Sequence, residues 1–506
     1  MEPKVLRMAE AARALGISRS RWRGMPCGWP LTANRRLTLT TLVMPTYITA
    51  NLTNISRGFA MRLPERAPTF SDMIEDGDLV RELPRVIASG VGPLVDGRYI
   101  HWDSIRRRTP PFGLSREQWW LGITFARRPT LREIPLLASD GRPFRYSLPD
   151  PVLEQLHWID QHAAGELVVS EAIKEPGDRQ RYLVNSLIEE AITSSQLEGA
   201  SATRRVAKDM LRTGRPPRDR GERMILNNYQ AMTALRDLAA APLTTATVFD
   251  LHRILTAGTL DNPDAAGRLQ RVDEQRVHVE ASDGTIAHTP PPAIELPERL
   301  ESMCRFANSE AQGFIHPVVR AILLHLWLGY DHPFEDGNGR TARALFYREM
   351  LAKGYWLFEY VSISRLLLKA PVEYGRSFLY TETDGFDATY FLLYHLQILR
   401  RAIEELQAYL VRKMAEHRET LKLLRRTDLN HRQIALLSNA LAHERAVYTI
   451  RSHAQSHRVT RQSARTDLID LEARGLLQRE VIGRRFDFYP ADDLRARLAA
   501  GSGRSR

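Results

Sequence analysis

The run His332-Pro-Phe-Glu-Asp-Gly-Asn-Gly-Arg-Thr-Ala-Arg343 sets a titratable base, a hard-metal ligand, a glycine-rich turn and two arginines side by side. Gly337, Asn338 and Gly339 let backbone N–H groups approach phosphate oxygens with no side chain in the way. A helix opening at that point would aim its positive end at the same oxygens. Arg340 and Arg343 lie three apart, so they share a face of that helix near its start. Asp336 offers a hard oxygen, suited to a Mg²⁺ that bridges phosphates. His332 has an ordinary pKa close to neutrality and can accept a hydroxyl proton. Positioning and charge stabilisation are most of what transfer of a phosphorus-bearing group requires, and this run supplies both. Phe334 is read differently, as an apolar anchor for the loop.

These residues need elements to hold them. Upstream, Val318, Ile322, Leu323, Leu326 and Trp327 recur at helical spacing between Pro317 and Tyr330, with the proline suited to a first turn. Downstream, Ala342, Leu345, Phe346 and Met350 form a second apolar stripe, so the run reads as helix–loop–helix. Well before it, Leu183, Val184, Leu187, Ile188, Ala191 and Ile192 mark a helix over 181–199 that ends in Ser194-Ser-Gln-Leu-Glu198-Gly199. Gly199 is a natural stop. Between Arg271 and Pro291, Val277-His-Val279 and Ile286-Ala-His288 flank a Ser282-Asp-Gly284 turn and read as a short hairpin.

The order His-x-Phe-x-Asp-Gly-Asn-Gly-Arg-x-x-Arg resembles the signature of the Fic (filamentation induced by cAMP) family without departure. The resemblance implies a mainly α fold, a Fic-type helical bundle with a small β-hairpin flap, and transfer of AMP from ATP to a Ser, Thr or Tyr hydroxyl of a target protein. It implies His332 as catalytic base, Asp336 as the Mg²⁺ ligand, and Gly337, Asn338, Gly339, Arg340 and Arg343 as ATP-binding residues. The Ser194 to Gly199 string looks like the family's inhibitory motif, whose glutamate, here Glu198, pairs with the second arginine, here Arg343. Carboxylate and γ-phosphate would then compete for one guanidinium fork. The resemblance also makes the hairpin a flap that clamps a target segment by strand addition, although an ordinary surface hairpin reads equally well. Gly267-Arg268 before it is an imperfect match to the family's Gly-x-x-Arg region. Tyr374 sits roughly where relatives place an aromatic against adenine, and a core tyrosine is the other reading.

The chain of 506 residues is long enough for two or three domains, and 43% hydrophobic with 26% charged residues is ordinary for a globular protein. A net charge of +11, spread as arginine, suggests an anionic partner: nucleotide, nucleic acid or acidic protein. Only Cys27 and Cys304 occur, which disfavours a disulfide framework or a cysteine metal site and fits a cytoplasmic location. No apolar run approaches the roughly 20 residues needed to cross a bilayer.

Along the chain, residues 1–60 read as a flexible extension, with Met61 an alternative start. Residues 61–150 read as an N-terminal cap with Trp102, Trp119 and Trp120 in its core. The bundle with its inhibitory helix spans 151–400, a connecting helix 401–427, and a flexible tail 496–506. Residues 428–495 look like a winged helix–turn–helix. In such a domain Thr460, Arg461, Gln462 and Arg465 would face outward on the recognition helix, and Arg484 and Arg485 would tip the wing. Asp467, Asp470 and Glu472 dilute that face, so duplex DNA and a protein surface are both open as partners. A homodimer stays open too. Three whole-protein readings follow: a self-inhibited adenylyltransferase, a nucleotide-sensing transcriptional regulator, and a Fic enzyme that removes AMP with Glu198 activating water.

Overall fold

The computed structural model of the protein describes residues 62–163, 176–280, 286–308, 313–425, 427–442, 446–482 and 485–501. The extension over 1–60, the turn over 282–284, Arg484 and the end of the 496–506 tail lie outside the described residues.

The N-terminal region places five short helices ahead of a hairpin: α1 (Phe70–Glu75), α2 (Gly77–Arg81), α3 (Leu83–Ala88), α4 (Trp102–Ile105) and α5 (Arg116–Arg127), then β1 (Arg132–Leu137) antiparallel to β2 (Pro143–Tyr146). Capping boxes at Thr69 and Ser115 satisfy the first amides of α1 and α5. Trp102, Trp119 and Trp120 are buried together with Met73, Ile105 and Ile123 in a core of their own, as the sequence suggests. Arg127 joins this region to the rest. Its guanidinium lies 3.6 Å over the Tyr99 ring and donates to the Tyr390 hydroxyl at 2.9 Å.

The main body is helical: α6 (Asp150–Ala163), α7 (Pro176–Leu197), α8 (Arg204–Thr213), α9 (Arg220–Ala239) and α10 (Thr245–Thr256) precede the hairpin β3 (Val279–Glu280) and β4 (Ile286–His288). After it come α11 (Leu296–Ala307), α12 (Pro317–Asp331), α13 (Asn338–Ala352), α14 (Ser364–Lys369), α15 (Pro371–Thr383) and α16 (Thr389–Arg425). Helix α12 is buried on nearly every face, from Val318 through Leu328, which is what a helix apolar all round must be. It packs against α13, whose Ala342, Leu345, Phe346 and Met350 are buried as their spacing suggests.

Helix α7 departs from a simple apolar stripe. From Ile188 onward both faces are enclosed, and Glu190 is almost fully buried. Its carboxylate accepts from the Tyr347 hydroxyl at 2.9 Å, the Ser362 hydroxyl at 2.8 Å, the Ser364 amide at 3.1 Å and the Ser364 hydroxyl. A buried carboxylate is tolerated when its lone pairs are filled in this way. The result pins the middle of α7 to α13 and to the start of α14. The boundary expected at 400 and 401 falls inside α16, one uninterrupted helix of 37 residues.

The C-terminal module holds α17 (His431–Ala442), β5 (Tyr448–Thr449), α18 (Ile450–His457), α19 (Arg461–Ala473), β6 (Leu477–Ile482), β7 (Arg485–Pro490) and α20 (Leu494–Gly501). Strand β7 lies between β5 and β6, antiparallel to both. Asp467 does not dilute an outer face as the sequence suggests. It is buried, taking Arg432, Asn430 and His453 on its two oxygens, and it ties three helices together. Among the described residues no helix is long and apolar enough to cross a membrane.

Candidate active site

Helix α12 ends at His332, which sits in the left-handed region at φ +44° with its amide still bonded to the Leu328 carbonyl. That turn throws the imidazole off the helix axis and into a cavity of about 560 Å³. Nδ1 lies 3.3 Å from the Gly329 carbonyl, which can only accept, so the proton belongs on Nδ1 and Nε2 is left as the basic nitrogen. Desolvation, aided by the charges of His288 and Arg276 and opposed by the Gly329 carbonyl, pushes the half-buried ring down to about 4. His332 is therefore neutral at physiological pH, the form a base needs. Arg276 secures this corner by donating to the carbonyls of Asp331 at 2.9 Å and His332 at 3.2 Å.

The loop from Phe334 to Gly339 is held from beneath. Phe334 is fully buried and stacks on His252 at 3.8 Å, confirming it as an anchor. His252 takes the Gly267 amide on Nδ1 and donates from Nε2 to the Asp336 carbonyl, each at 2.9 Å. Asn338 spends its side chain on Phe334, accepting from its amide at 2.9 Å and donating to its carbonyl at 2.8 Å. Its contribution to an anion is therefore its backbone amide at the start of α13. Gly337 has φ +83°, and a Cβ there would meet Thr256 Cγ2 at 2.7 Å, so only glycine fits.

Arg340 corrects an expectation. It is fully buried, donates to the Leu255 carbonyl at 2.8 Å and reaches Asp336 at 3.4 Å, and it does not line the cavity. Its position on the inner side of α13 makes it a support for the loop rather than a ligand-facing cation. Burial alone would raise Asp336, but Arg340, the Gly337 amide and Arg220 outweigh it and hold the carboxyl below its usual range. Asp336 lines the cavity, and Arg220, also in its wall, reaches Oδ2 at 3.3 Å. An ionised carboxylate with only long contacts on one oxygen fits a hard cation. Among the described residues no cluster of three or more metal-ligating side chains exists, so such an ion would draw its other oxygens from phosphates and water.

Arg343 faces the cavity and is met by α7. Its Nε donates to Ser194 Oγ, and one terminal nitrogen to the Ser194 carbonyl and to Glu198 Oε1, all at 2.9 Å. Gly199, at φ +88°, turns the chain just past the helix end. A Cβ at Gly339 would overlap Glu198 Oε1, so the carboxylate lies directly over the glycine-rich start of α13. A phosphate would use that space, since a helix N-terminus and a guanidinium converge there. Tyr374 also lines the cavity, with its hydroxyl 2.8 Å from His325 Nε2, and desolvation raises it to about 12.

The hairpin β3–β4 closes the opposite side, contributing Val279, Ala287 and His288, with Val277 just before it. Arg268 pairs with Glu274 instead of entering the cavity. Sequence reasoning passed over His252, Arg220, Arg276 and Glu190. Each lies in a segment whose pattern is that of an ordinary helix or loop, and only the fold brings it to the motif. In the C-terminal module Thr460 caps α19 by accepting from the Ser463 amide, while Arg461, Gln462 and Arg465 are exposed on its first turns. Arg485 is exposed but paired with Asp487 at 2.7 Å.

A helical body sets a histidine, a glycine-rich helix start and a guanidinium around one cavity of about 560 Å³ with a carboxylate inside it, an arrangement suited to a phosphate-bearing ligand. Residues 242–350 match the family model described as Fic/DOC family, so this part of the chain carries a Fic domain. It is similar to the protein adenylyltransferase Fic of Nematostella vectensis, 27% identical over 195 residues, covering 38% of this chain and 42% of that one. The Drosophila melanogaster protein of the same name is 41% identical over 68 residues, 13% of this chain and 14% of its own length. The chain thus spans under half the length of either relative. Among solved structures, a Fic family protein from Desulfovibrio desulfuricans G20 superposes with a TM-score of 0.45 at 18% identity, over 69% of this chain and 98% of that one. Fic-1 from C. elegans gives 0.44 at 17%, over 69% and 89%.

Proposed function

We propose that the protein is a self-inhibited adenylyltransferase that moves AMP from ATP to a Ser, Thr or Tyr hydroxyl of a target protein. Nε2 of His332 takes the hydroxyl proton as that oxygen bonds to the α-phosphorus. The bond from the α-phosphorus to the bridging oxygen breaks, and pyrophosphate leaves. The amides at the start of α13 and the Arg343 guanidinium hold the phosphate oxygens, and Arg340 and His252 keep the loop in place from below. Mg²⁺, when bound at Asp336, supplies neutralising charge to the phosphates. Tyr374 forms part of the wall available to the base.

The observation that carries this reading is the placement of Glu198. It occupies the Arg343 fork and the space over Gly339 within the cavity that holds His332. The names of the relatives support the activity class. The test uses ATP labelled on the α-phosphate with Mg²⁺ and three proteins: wild type, Glu198→Gly and His332→Ala. Label that rises in the first variant and vanishes in the second, with ATP binding kept, is the expected result. Label undiminished in His332→Ala rejects the base.

A second reading, a nucleotide-sensing regulator acting on DNA through the C-terminal module, is favoured by the exposed Arg461, Gln462 and Arg465 at the start of a capped helix. Removal of AMP would use the same cavity differently: Glu198 takes a proton from a water that bonds to the α-phosphorus, the bond to the target oxygen breaks, and that oxygen leaves with a proton from His332 as AMP is released.

A further inference from the structure

We propose that His288 is a positioning residue: as a double hydrogen-bond donor it staples the β3–β4 flap to the end of α12, the helix that leads into His332. This rests on the adenylyl-transfer reading of the cavity.

The geometry is specific. His288 is the last residue of β4 and pairs with Val279 across the hairpin. It is 7% exposed, so water does not satisfy its ring. Nδ1 lies 2.8 Å from Glu382 Oε2 on α15, and Nε2 lies 2.7 Å from the Tyr330 carbonyl on α12. A carbonyl and an ionised carboxylate can only accept, so both ring nitrogens must carry protons. The flap thereby donates to the last turn of the helix that ends in His332. Glu382 is itself braced from outside. Its neighbours Tyr380 and Thr383 are held by the N-terminal region, through stacking of His101 on Tyr380 at 4.3 Å and a bond from the Ala67 amide to the Thr383 carbonyl at 2.8 Å.

The surrounding charges agree with this assignment. Burial alone would lower His288, but Glu382, by charge and hydrogen bond, and the Tyr330 carbonyl outweigh it, and the group stands above its ordinary value. The other charged groups on the packed elements are Asp331, which Arg299 and Trp327 engage, then Arg276 over the α12 carbonyls, and His332 itself. After desolvation, the His288 charge is the largest influence keeping His332 unprotonated. A neutral amide at 288 would keep one hydrogen bond and lose both the second donor and the charge.

The staple is complete at low pH and is lost as pH rises through the His288 titration. The experiment uses the full chain in the Glu198→Gly background, with α-labelled ATP and self-labelling as readout from about pH 3.5 to 9, a range that spans the lowered His332. Native-state hydrogen exchange at residues 277–280 and 286–288 runs beside it. Expected for His288→Gln are flap amides exchanging about tenfold faster and a low-pH limb of labelling moved up by about half a pH unit or more. Glu382→Gln removes the partner charge while keeping the helix, and should release the flap at lower pH than in the parent. Uniformly slower labelling with an unmoved pH profile and parental flap exchange overturns the proposal. Label persisting in His332→Ala in that background overturns the base assignment instead, and exchange at the flap then decides the staple alone.

Discussion

Replacing Glu198 by glycine should turn a closed phosphate site into an open one, and the structure sets the size of the effect. Glu198 makes a charge-assisted bond of 2.9 Å to an Arg343 guanidinium that is nearly fully buried. Such a bond contributes about 1.5–3 kcal/mol. Arg343 keeps both Ser194 contacts in the variant, so its charge is not left bare and the loss should stay within that range. Any phosphate that needs this guanidinium must first displace the carboxylate, and its affinity is weakened by the same free energy. At about 1.4 kcal/mol per factor of ten, the variant should bind ATP roughly 10- to 150-fold more tightly. Titration calorimetry measures this directly, and thermal melting gives a second view: lower melting than wild type without nucleotide, and a larger upward shift with it. Glu198→Gln, which keeps an acceptor without charge, should fall between. Equal ATP affinity in all three proteins would refute the competition.

Gly339→Ala should not reproduce that gain. The added methyl pushes the carboxylate away but fills the space where phosphate would lie, so ATP binding should stay weak and labelling low; labelling equal to Glu198→Gly would move the cradle elsewhere. Acidification should lower stability between about pH 6.5 and 4. His332 and His252 are held near 4, and His101 and His395 near 3, by desolvation above all, so the unfolded chain takes up protons first. Each contributes up to about 1.4 kcal/mol per pH unit in its window, while His288 and Asp384, both raised, work the other way. Melting temperatures at pH 7.5, 6 and 5 should fall in that order, and a flat series contradicts the balance. For the C-terminal module, Arg461→Ala with Arg465→Ala should weaken binding to duplex DNA and flatten its dependence on salt. Binding by the intact protein that shows no salt dependence leaves DNA without support.

The loop from His332 to Gly339 was legible because its chemistry is contiguous. His332, Asp336 and the Gly-Asn-Gly turn lie within a few residues, and their types allow few other uses. The helices around it were legible from apolar spacing. What sequence concealed was direction. Arg340 and Arg343 share the start of α13, yet one points inward to the Leu255 carbonyl and the other to the cavity, because α10 packs on one side and α7 on the other. Asn338 looks like part of an anion cradle, but its side chain is spent on Phe334. Asp467 reads as a surface acid until three helices close over it. His252, Arg276 and His288 pair with partners 42 positions or more away in the chain, and single-sequence patterns carry no signal for such pairings.

The 37-residue helix α16 has a mechanical consequence. Near its start Phe391, Leu396 and Leu399 are set in the main core, followed by Ile403 and Leu410, while Leu424 near its end is set in the C-terminal core beside Leu436, Leu437 and Leu468. One rod about 55 Å long is thus embedded at both ends. It behaves as a strut rather than a tether: a swing of the C-terminal module has to bend a hydrogen-bonded helix instead of turning about free dihedrals. A chain cut at residue 400 would strip Ile403 from one core, and a cut at 428 would strip Leu424 from the other. The connecting helix expected over 401–427 is the far half of this single rod.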